Sequence, residues 1–391
     1  MSEWKETTLA NVCTDISYGY TESAHLEKIG PKFLRITDIS NERLNWDNVP
    51  FCPITDDNFI KYQLLPGDIV IARTGATTGA NYTIKKNDHR EVVFASYLIR
   101  YKIDKDLADP YFIGYILKSS FWKDYVDAIA GGSAQPGANA KQLGSYVVSL
   151  PPLDNQQKIV SVLSSFDDKI DLLHRQNATL EAMAETLFRQ WFVEEAKEEW
   201  ELATIGQFVK TNQNSITKDY QFQEIEYLDT SSLTEGLISS TQMIKLKDAP
   251  SRARRLVKHN DILISTVRPD QKHYGIINKP IENLVVSTGF CVISCTDINP
   301  YFIYLLLTNE EITGYLHSIA EGSTSTYPSL RPFDLEQIEF QMPPKEKISE
   351  FGMLASNYWD KININQTQIR TLTNLRDTLL PKLMSGEVRI N

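Results

Sequence analysis

The chain has 391 residues, of which 42% are hydrophobic and 23% are charged, and its formal net charge at pH 7 is −10. This length exceeds what one ordinary hydrophobic core accommodates, so two or more domains are expected. The sequence contains no apolar run of about 18 residues and no basic, apolar N-terminal signal, so we expect a cytoplasmic protein without a membrane partner.

The charge is distributed unevenly along the chain. Residues 154–201 hold 11 acidic and 5 basic residues, whereas residues 245–279 hold 9 basic and 3 acidic residues. A polyanion responds to the local field within about 10 Å at 0.1 M salt, so the net negative charge does not exclude nucleic acid as a partner. Ordinary solvated surface charge explains these counts equally well. The four cysteines lack metal-ligand spacing and are predicted to be buried free thiols.

The first 150 residues predict short strands and turns with one helical segment. Residues 33–39 alternate as a half-buried strand does, a Pro-Gly turn leads into a strand ending near residue 71, and residues 92–103 form a further strand-like run. Asp109 and Pro110 suit the N-cap and first position of a helix that continues to about Val126. A loop at 73–80 and a polar, Gly-rich segment at 131–143 lie between these elements, and a strand at 145–150 follows.

A long helix is predicted after Pro151 and Pro152. Its apolar positions alternate in steps of four and three, which is the heptad pattern of a coiled coil. The seam comprises Phe166, Ile170, Leu173, Asn177, Leu180, Ala184, Leu187 and Trp191. The same seam returns 192 residues later, after Pro343 and Pro344. Its members are Tyr358, Ile362, Asn365, Ile369, Leu372, Arg376, Leu379 and Leu383.

The two halves of the chain are repeats of one another. Residues 299–302 (NPYF) repeat residues 109–112 (DPYF) at an offset of 190, and segment 321–335 repeats 131–143 at the same offset. We therefore predict an α+β fold: a tandem of two mixed α/β domains, each followed by a long helix. Each helix of roughly 35 residues is about 50 Å long and exposes its seam when alone. The two helices are expected to pair as an antiparallel coiled coil with pseudo-two-fold symmetry; the alternative is that each packs on its own domain.

The sequence contains no recognisable catalytic constellation. The DPYF and NPYF segments differ from the [DNS]PP[YF] loop of amino-group DNA methyltransferases in lacking its second proline, and a helix N-terminus explains both. A P-loop, an HExxH motif, a methyl-donor glycine motif and histidines at ligand spacing are all missing. We therefore expect a binding protein rather than an enzyme.

Two polar loops recur in each repeat and carry side chains that suit base edges and phosphate oxygens. In the first repeat the candidates are Arg73, Thr74, Thr77, Thr78, Ser133, Gln135, Asn139 and Lys141. In the second repeat they are Arg268, Asp270, Lys272, His273, Ser323, Thr324, Ser325, Tyr327 and Arg331. Plain surface loops have a similar composition, but the recurrence at matched positions favours a nucleic-acid interface.

The chain resembles the specificity (S) subunits of type I restriction–modification systems. The resemblance rests on LPPLDNQQKIVSVLSSFDDKIDLL (150–173), on PGDIV…TG (66–79) and on GGSAQP…KQL (131–143), whereas the second proline segment at 340–354 is less similar. It implies two target-recognition domains (1–150 and 198–342) that each read half of a split site in double-stranded DNA. It also implies two spacer helices (151–197 and 343–391) that set the gap between the half-sites.

The resemblance further implies a non-catalytic subunit. Its partners would be two methyltransferase (modification) subunits and, where the system has them, two nuclease/translocase (restriction) subunits. S-adenosylmethionine, ATP and Mg would be bound by these partners, with no cofactor or metal in this chain. Two rival hypotheses remain: a diverged stand-alone DNA methyltransferase or restriction enzyme, and a scaffold that joins proteins and ignores DNA.

Overall fold

The structure, a computed structural model, describes residues 4–40, 44–131, 137–323 and 327–388. The chain divides into two compact units, residues 1–171 with 370–391 (unit 1) and residues 172–369 (unit 2). Each unit therefore combines a globular part with portions of both long helices. The domain limits expected from the sequence stay predictions, because these units are divided by compactness alone.

Unit 1 contains eight strands and five shorter helices among its described residues. The strands are β1 Lys5–Thr8, β2 Cys13–Tyr18, β3 Lys32–Leu34, β4 Ile69–Ala72, β5 Asn81–Thr83, β6 Val92–Phe94, β7 Leu98–Ile103 and β8 Val147–Leu150. The helices are α1 Ile36–Ile39, α2 Asp56–Tyr62, α3 Pro110–Ile116, α4 Ser120–Ala130 and α5 Ala140–Gly144. The first long helix, α6, spans Leu153–Arg189. An antiparallel sheet of order β2-β7-β4-β5 is accompanied by the parallel pair β3-β6 and the antiparallel pair β1-β8.

Unit 2 repeats this plan. Its strands are β9 Leu202–Thr204, β10 Val209–Thr211, β11 Glu224–Leu228, β12 Leu233–Thr234, β13 Leu237–Ile238, β14 Gln242–Lys245, β15 Ala253–Leu256, β16 Ile262–Ser265, β17 Tyr274–Ile276, β18 Leu284–Ser287, β19 Phe290–Cys295 and β20 Glu339–Gln341. Its helices are α7 Pro300–Thr308, α8 Glu310–Glu321, α9 Pro332–Glu336 and the second long helix, α10, Lys345–Met384. The sheet β10-β19-β16-β17 matches the main sheet of unit 1, and the parallel pair β11-β18 matches β3-β6. Strands β14 and β15 extend that parallel pair on its two sides.

The central strand of each main sheet is buried on both faces. In β4, Ile69 and Ile71 belong to the core against α3 and α4, whereas Val70 and Ala72 belong to the core against β3 and β6. In β16, Ile264 belongs to the core that includes α7 and α8, whereas Leu263 belongs to the core that includes β11 and β18. A continuous apolar run is the expected sequence of a strand covered on both faces.

The long helices pair in unit 1 through apolar and charged contacts. Leu163 of α6 and Leu380 of α10 lie in one buried cluster. Asp167 accepts a hydrogen bond from Arg376 Nη1 at 2.8 Å and another from Tyr115 Oη of α3 at 2.8 Å. Residue numbers rise along one helix as they fall along the other, so the pair is antiparallel, as predicted.

In unit 2 the helix pair is held by a buried amide contact and by aromatic rings. Asn365 Nδ2 donates to Asn177 Oδ1 at 2.8 Å, and the Phe188 and Phe351 rings lie 6.0 Å apart. Trp359 lies 4.9 Å from the ring of Tyr301 in α7. The two helices are antiparallel here too. Aromatic packing of Trp359 on α7 takes the place that the hydrogen bond between Asp167 and Tyr115 of α3 has in unit 1.

The proline-glutamine segment that begins α6 has a structural role. Gln156 is buried, its Oε1 accepts from Asp109 N at 2.9 Å, and its Nε2 donates to Pro151 O at 2.8 Å. Asp109 Oδ1 in turn caps α3 by accepting from Tyr111 N and Phe112 N at 2.8 and 3.1 Å. The DPYF segment is therefore a helix cap joined to the long helix, as the sequence indicated.

Three local predictions need correction. The strand predicted at 33–39 ends at Leu34, because Asp38 caps the backbone of Arg35 and starts α1. The helix predicted to reach Val126 breaks after Ile116, and Ser119 caps a new helix by accepting from Trp122 N at 3.4 Å. The run at 92–103 is two strands, β6 and β7, separated by a turn.

The cysteines are free thiols. Cys52 and Cys291 are buried, whereas Cys13 and Cys295 are only partly buried. Burial raises the pKa of the Cys291 thiol to about 12, so this group stays protonated. Within the described parts of the chain, no helix is both long and apolar enough to cross a membrane, and no cluster of His, Cys, Asp or Glu suits a metal ion.

Candidate nucleic-acid interface

The two predicted loops of unit 1 lie side by side. The loop after β4 and the segment before α5 are joined by an antiparallel bridge between Thr74 and Gly137. Ala138 N donates to Arg73 O at 2.9 Å. Side chains more than 60 positions apart in the chain thus share one edge of the unit. Ser133 and Gln135 fall outside the described residues.

Arg73 is held against an aromatic ring. Its guanidinium carbon lies 5.0 Å from the centre of the Tyr18 ring, and Tyr18 Oη accepts from Ala140 N at 3.2 Å. The ring therefore connects both loops. Arg73 Nε is buried and has no hydrogen-bond partner among the described residues. Stacking on the ring reduces the freedom of a long side chain while leaving the outer edge of the guanidinium available.

The remaining part of the first loop forms a tight turn over α4. Thr78 Oγ1 donates to Gly75 O at 2.7 Å, and Trp122 Nε1 donates to Gly79 O at 2.9 Å. Gly79 has a φ of +88°, which a side chain rarely adopts, and a Cβ there would approach Val126 to 2.8 Å. The loop therefore has a defined shape, with Thr77 half-buried beside it.

Asn139 and Lys141 have different roles. Asn139 Oδ1 accepts from Gln142 N at 2.9 Å, and Gln142 Oε1 accepts from Asn139 N at 3.0 Å, so Asn139 is the N-cap of α5. Its carboxamide oxygen is already used inside the unit. Lys141 is exposed at the same helix end.

The loops of unit 2 meet in the same arrangement. Val267 and Ser329 form an antiparallel bridge, and Leu330 N donates to Thr266 O at 2.7 Å. Arg268 N donates to Pro328 O at 3.0 Å. Thr324 and Ser325 fall outside the described residues, while Ser323 Oγ accepts from Ser329 N at 3.3 Å.

Arg268 repeats the stacking seen for Arg73. Its guanidinium carbon lies 5.0 Å from the centre of the Tyr327 ring, and both side chains are exposed. The backbone of Arg268 has a φ of +50° in the left-handed region. A non-glycine residue in this region is uncommon and marks a position where the surrounding structure determines the backbone.

Three other predicted residues of unit 2 have partners within the unit. Lys272 Nζ lies 3.0 Å from Glu235 Oε1, and His273 Nδ1 lies 2.7 Å from Leu233 O. Asp270 Oδ1 lies 3.9 Å from His317 Nδ1. These contacts hold the loop against the β12–β13 hairpin and α8, and they reduce the number of donors that the loop offers to a ligand.

Arg331 is an exposed residue at the N-terminus of α9. Its Nη2 lies 2.7 Å from Asp334 Oδ1, and its backbone N donates to Asp334 Oδ2 at 2.7 Å. The hydrogen bond from Arg331 outweighs burial and holds the pKa of Asp334 below its usual value. The guanidinium is thus anchored on one side and open to solvent on the other.

Sequence reasoning missed two tyrosines beside the unit 1 loops. Tyr18 supports Arg73, and Tyr97 accepts from Arg73 N through its backbone oxygen at 3.1 Å. The Tyr97 side chain is 58% exposed, so an aromatic ring projects next to the loop. Tyr97 lies in the turn between β6 and β7. The sequence would have indicated this only if the run at 92–103 had been interpreted as two strands.

Comparison with known proteins identifies relatives along the chain. Residues 1–182 match the family described as "Type I restriction modification DNA specificity domain". The MjaIX specificity subunit of Methanocaldococcus jannaschii is 28% identical over 312 residues, which cover 74% of this chain and 71% of that protein. The HindI specificity subunit of Haemophilus influenzae is 24% identical over 469 aligned positions, covering 99% of this chain and 100% of that protein.

A solved structure shares the fold. The crystal structure of a type I restriction–modification S subunit from M. genitalium matches with a TM-score of 0.58 and 16% identity, covering 97% of this chain and 96% of that one. The tandem α+β architecture predicted from the sequence is thereby confirmed. The MjaIX and HindI relatives are both named as specificity subunits, whereas the absence of enzymatic activity in this chain stays a prediction.

Proposed function

We propose that this chain is a specificity subunit of a type I restriction–modification system, which binds double-stranded DNA and selects the sequence on which the complex acts; the match of residues 1–182 to the specificity-domain family supports this. The observation that carries the proposal is an arrangement present in both units: two bridged loops with an arginine stacked at 5.0 Å on a tyrosine. The arginines are Arg73 and Arg268.

The chemistry of this arrangement suits DNA. A guanidinium can bind the O6 and N7 of guanine through two hydrogen bonds, or a phosphate oxygen through charge-assisted ones. Stacking restricts its rotamers before binding, which lowers the entropy lost in the complex. Lys141 and Arg331 extend the basic edge in their respective units, where phosphate contacts would fix the position of the duplex.

The presence of two such edges in one chain supports a split recognition site. At 37 and 40 residues, α6 and α10 are about 55–60 Å long at a rise of 1.5 Å per residue. One turn of duplex measures about 34–36 Å, so rods of this length suit two half-sites separated by a gap. Each unit would then read one half-site.

The partners would be proteins that supply the chemistry. The acidic character of residues 154–201 makes α6, one of the two long helices, a poor DNA surface and favours protein contacts there. We infer that two methyltransferase subunits dock on these helices, and two nuclease subunits where the system includes them. S-adenosylmethionine, ATP and Mg would bind to those subunits rather than to this chain.

An exchange of the first recognition domain tests the proposal. Residues 1–150 are replaced by the corresponding segment of another family member, the chain is assembled with methyltransferase subunits, and the methylated sites are mapped. One half of the recognised sequence should change while the other half and the gap stay the same. A change in both halves, or in neither, would contradict the assignment of one half-site to each unit.

A titration with S-adenosylmethionine separates this function from that of a stand-alone methyltransferase. The purified chain alone should bind no methyl donor, and the complex with methyltransferase subunits should bind it. Tight binding by the isolated chain would show that the catalytic site is in this chain, against the proposal.

A further inference from the structure

A second arginine lies near the loops in each unit, at the end of the parallel strand pair. In unit 1, β3 continues into Arg35, and Ala95 N of the next turn donates to Leu34 O at 2.9 Å. The same turn contacts the first loop, because Arg73 N donates to Tyr97 O at 3.1 Å. Arg35 is therefore two strands away from the stacked arginine.

In unit 2, Arg252 precedes β15, on the opposite side of β18 from β11, and its side chain contacts Asp229 directly after β11. Thr288 N donates to Arg252 O at 2.7 Å, and in the same turn Gly289 O accepts from Thr266 N at 2.8 Å. Thr266 precedes the loop that carries Arg268. In both units, one turn after the parallel strand pair is therefore hydrogen-bonded to the backbone beside the second arginine and also to the segment that carries the stacked arginine.

Both second arginines are held by an aspartate. Arg35 donates to Asp38 with Nε at 3.1 Å and with Nη2 at 2.8 Å. Arg252 donates to Asp229 with Nη2 at 2.6 Å and to Tyr227 Oη with Nε at 3.2 Å. The aspartates are mostly buried, at 8% and 19% side-chain exposure, whereas the arginine side chains are 37% and 56% exposed. In each case the pair presents its guanidinium to solvent and its carboxylate to the protein.

These contacts leave part of the guanidinium fork unused. A guanidinium has five N–H donors. Arg35 uses Nε–H and one N–H of Nη2 for Asp38, whereas Arg252 uses one N–H of Nη2 for Asp229 and Nε–H for Tyr227 Oη. The second N–H of Nη2 and the neighbouring N–H of Nη1 form the outer edge. This edge matches the O6 and N7 acceptors of guanine in the major groove. A phosphate can accept from the same edge, but a phosphate contact carries no preference for a base.

We propose that Arg35 and Arg252 are specificity-determining residues, each reading one guanine of the half-site bound by its unit. This inference rests on the proposed DNA-binding function and deepens it. Asp38 and Asp229 are positioning residues that hold the fork at a fixed angle. Their negative charge also offsets the attraction of each arginine for phosphates, so the pair favours a base edge over the backbone.

An isolated surface ion pair is the simpler explanation of these contacts. Such a pair contributes little to stability and carries no information about base sequence. The two explanations differ in what substitution does, because a phosphate or surface role affects all DNA sequences alike, whereas a base contact affects one position.

The test uses the complex of the full-length chain with methyltransferase subunits. Its methylation rate is measured on the preferred duplex and on all single-base-pair variants of it, at one salt concentration. The variant Arg252→Ala should lose the preference for one G·C pair in one half-site by about tenfold or more, with the other half-site unchanged. Arg35→Ala should do the same in the other half-site. Arg252→Lys should also lose the preference although it keeps the charge, because an ammonium cannot replace the fork.

Arg254→Ala is the matched control. Arg254 is an exposed arginine two residues further along, and its Nε donates to Ser251 O at 3.3 Å. Removing it lowers the charge equally and should leave every base preference intact. Asp229→Asn keeps Arg252 but removes the charged partner that orients its guanidinium. It should reduce the preference for the same G·C pair that Arg252→Ala affects.

Each result decides between the explanations. If Arg252→Ala and Arg254→Ala lower the rate on all duplexes alike, or if Arg252→Ala changes no base preference, the inference is wrong. Methylation that retains the unchanged half-site shows that a variant is folded. If the unsubstituted chain itself shows no sequence preference, the proposed function fails instead, and the two failures are thereby distinguished.

Discussion

Glu181 on α6 is a carboxyl group in an unusual setting within unit 2. Burial, followed by the charges of Glu185 and Glu235, raises its pKa to about 7. The buried hydroxyl of Tyr304 faces the same group of carboxylates, and its own pKa is also raised by burial. The neutral form of Glu181 is therefore favoured in the folded protein, whereas an unfolded glutamate ionises near pH 4.3.

Glu181→Gln should consequently stabilise the protein in a pH-dependent way. The raised pKa means that the stabilising contribution of Glu181 is fully present below about pH 4.3 and is lost as the pH rises through about 7. The free energy of unfolding of the variant should exceed that of the original chain by about 1–2 kcal/mol at pH 8.5, with a smaller difference at pH 5.5. Urea unfolding at the two pH values measures this. An equal difference at both values would show that Glu181 does not titrate between them.

Residue types in the loops were predictable, but their partners were not. The sequence indicates that Asn139 and His273 are polar loop residues, yet Asn139 caps α5 and His273 contacts Leu233 O. Capping depends on where a short helix begins, and the histidine contact depends on a hairpin 40 residues earlier in the chain. Composition alone identifies loop side chains that could hydrogen-bond to DNA. It does not show which of these side chains already have hydrogen-bond partners within the protein.

The paired helices are the elements that sequence periodicity predicts best. Ile170, Leu173 and Asn177 are buried as the heptad pattern requires. The buried stripe nevertheless begins earlier, at Gln156, and in the second helix it includes Trp359 rather than Tyr358. Both differences arise where the helices meet the globular parts, because contacts with α3 and α7 there determine which side chains are covered.

The Asn177–Asn365 pair should fix the register of these helices. Asn365 is fully buried, and its amide has Asn177 Oδ1 as a partner at 2.8 Å, so Asn365→Leu leaves a buried acceptor unpaired. This should lower the free energy of unfolding by about 1–3 kcal/mol. The double variant Asn177→Leu/Asn365→Leu should recover the loss, since two apolar groups can pack together without an unpaired polar atom.

Urea unfolding of the single and double variants measures the coupling between the two positions. Gln176→Ala is a suitable control, because Gln176 is exposed and its Oε1 accepts only a long hydrogen bond of 3.5 Å from Asn365 Nδ2. It should change the stability by less than about 0.5 kcal/mol. A single Asn365→Leu variant as stable as the original chain would show that the pair contributes nothing to the seam.

For the whole molecule, the length of the helix pair should set the gap between the half-sites. Seven residues added between Leu173 and Asn177, together with seven between Asn365 and Ile369, preserve the heptad pattern in both antiparallel helices. The addition lengthens the pair by about 10 Å, which corresponds to about three base pairs. Methylation should then require a gap longer by about three base pairs.

The measurement is the methylation rate on duplexes whose half-sites are unchanged and whose gap varies. Adding seven residues to α6 alone misaligns the two seams, and should lower stability and methylation at every gap. Undiminished methylation at the original gap by the doubly lengthened chain would contradict the role of the helices as a spacer.

The main-chain bridges between the loops have a consequence for how such proteins diversify. The bridges Thr74–Gly137 and Val267–Ser329 use amide and carbonyl groups, which nearly every residue type provides. Side chains at the loop tips can therefore be replaced while the backbone pairing persists. Under the proposed function, substitutions at the loop tips should change the recognised sequence while remaining close to neutral for folding.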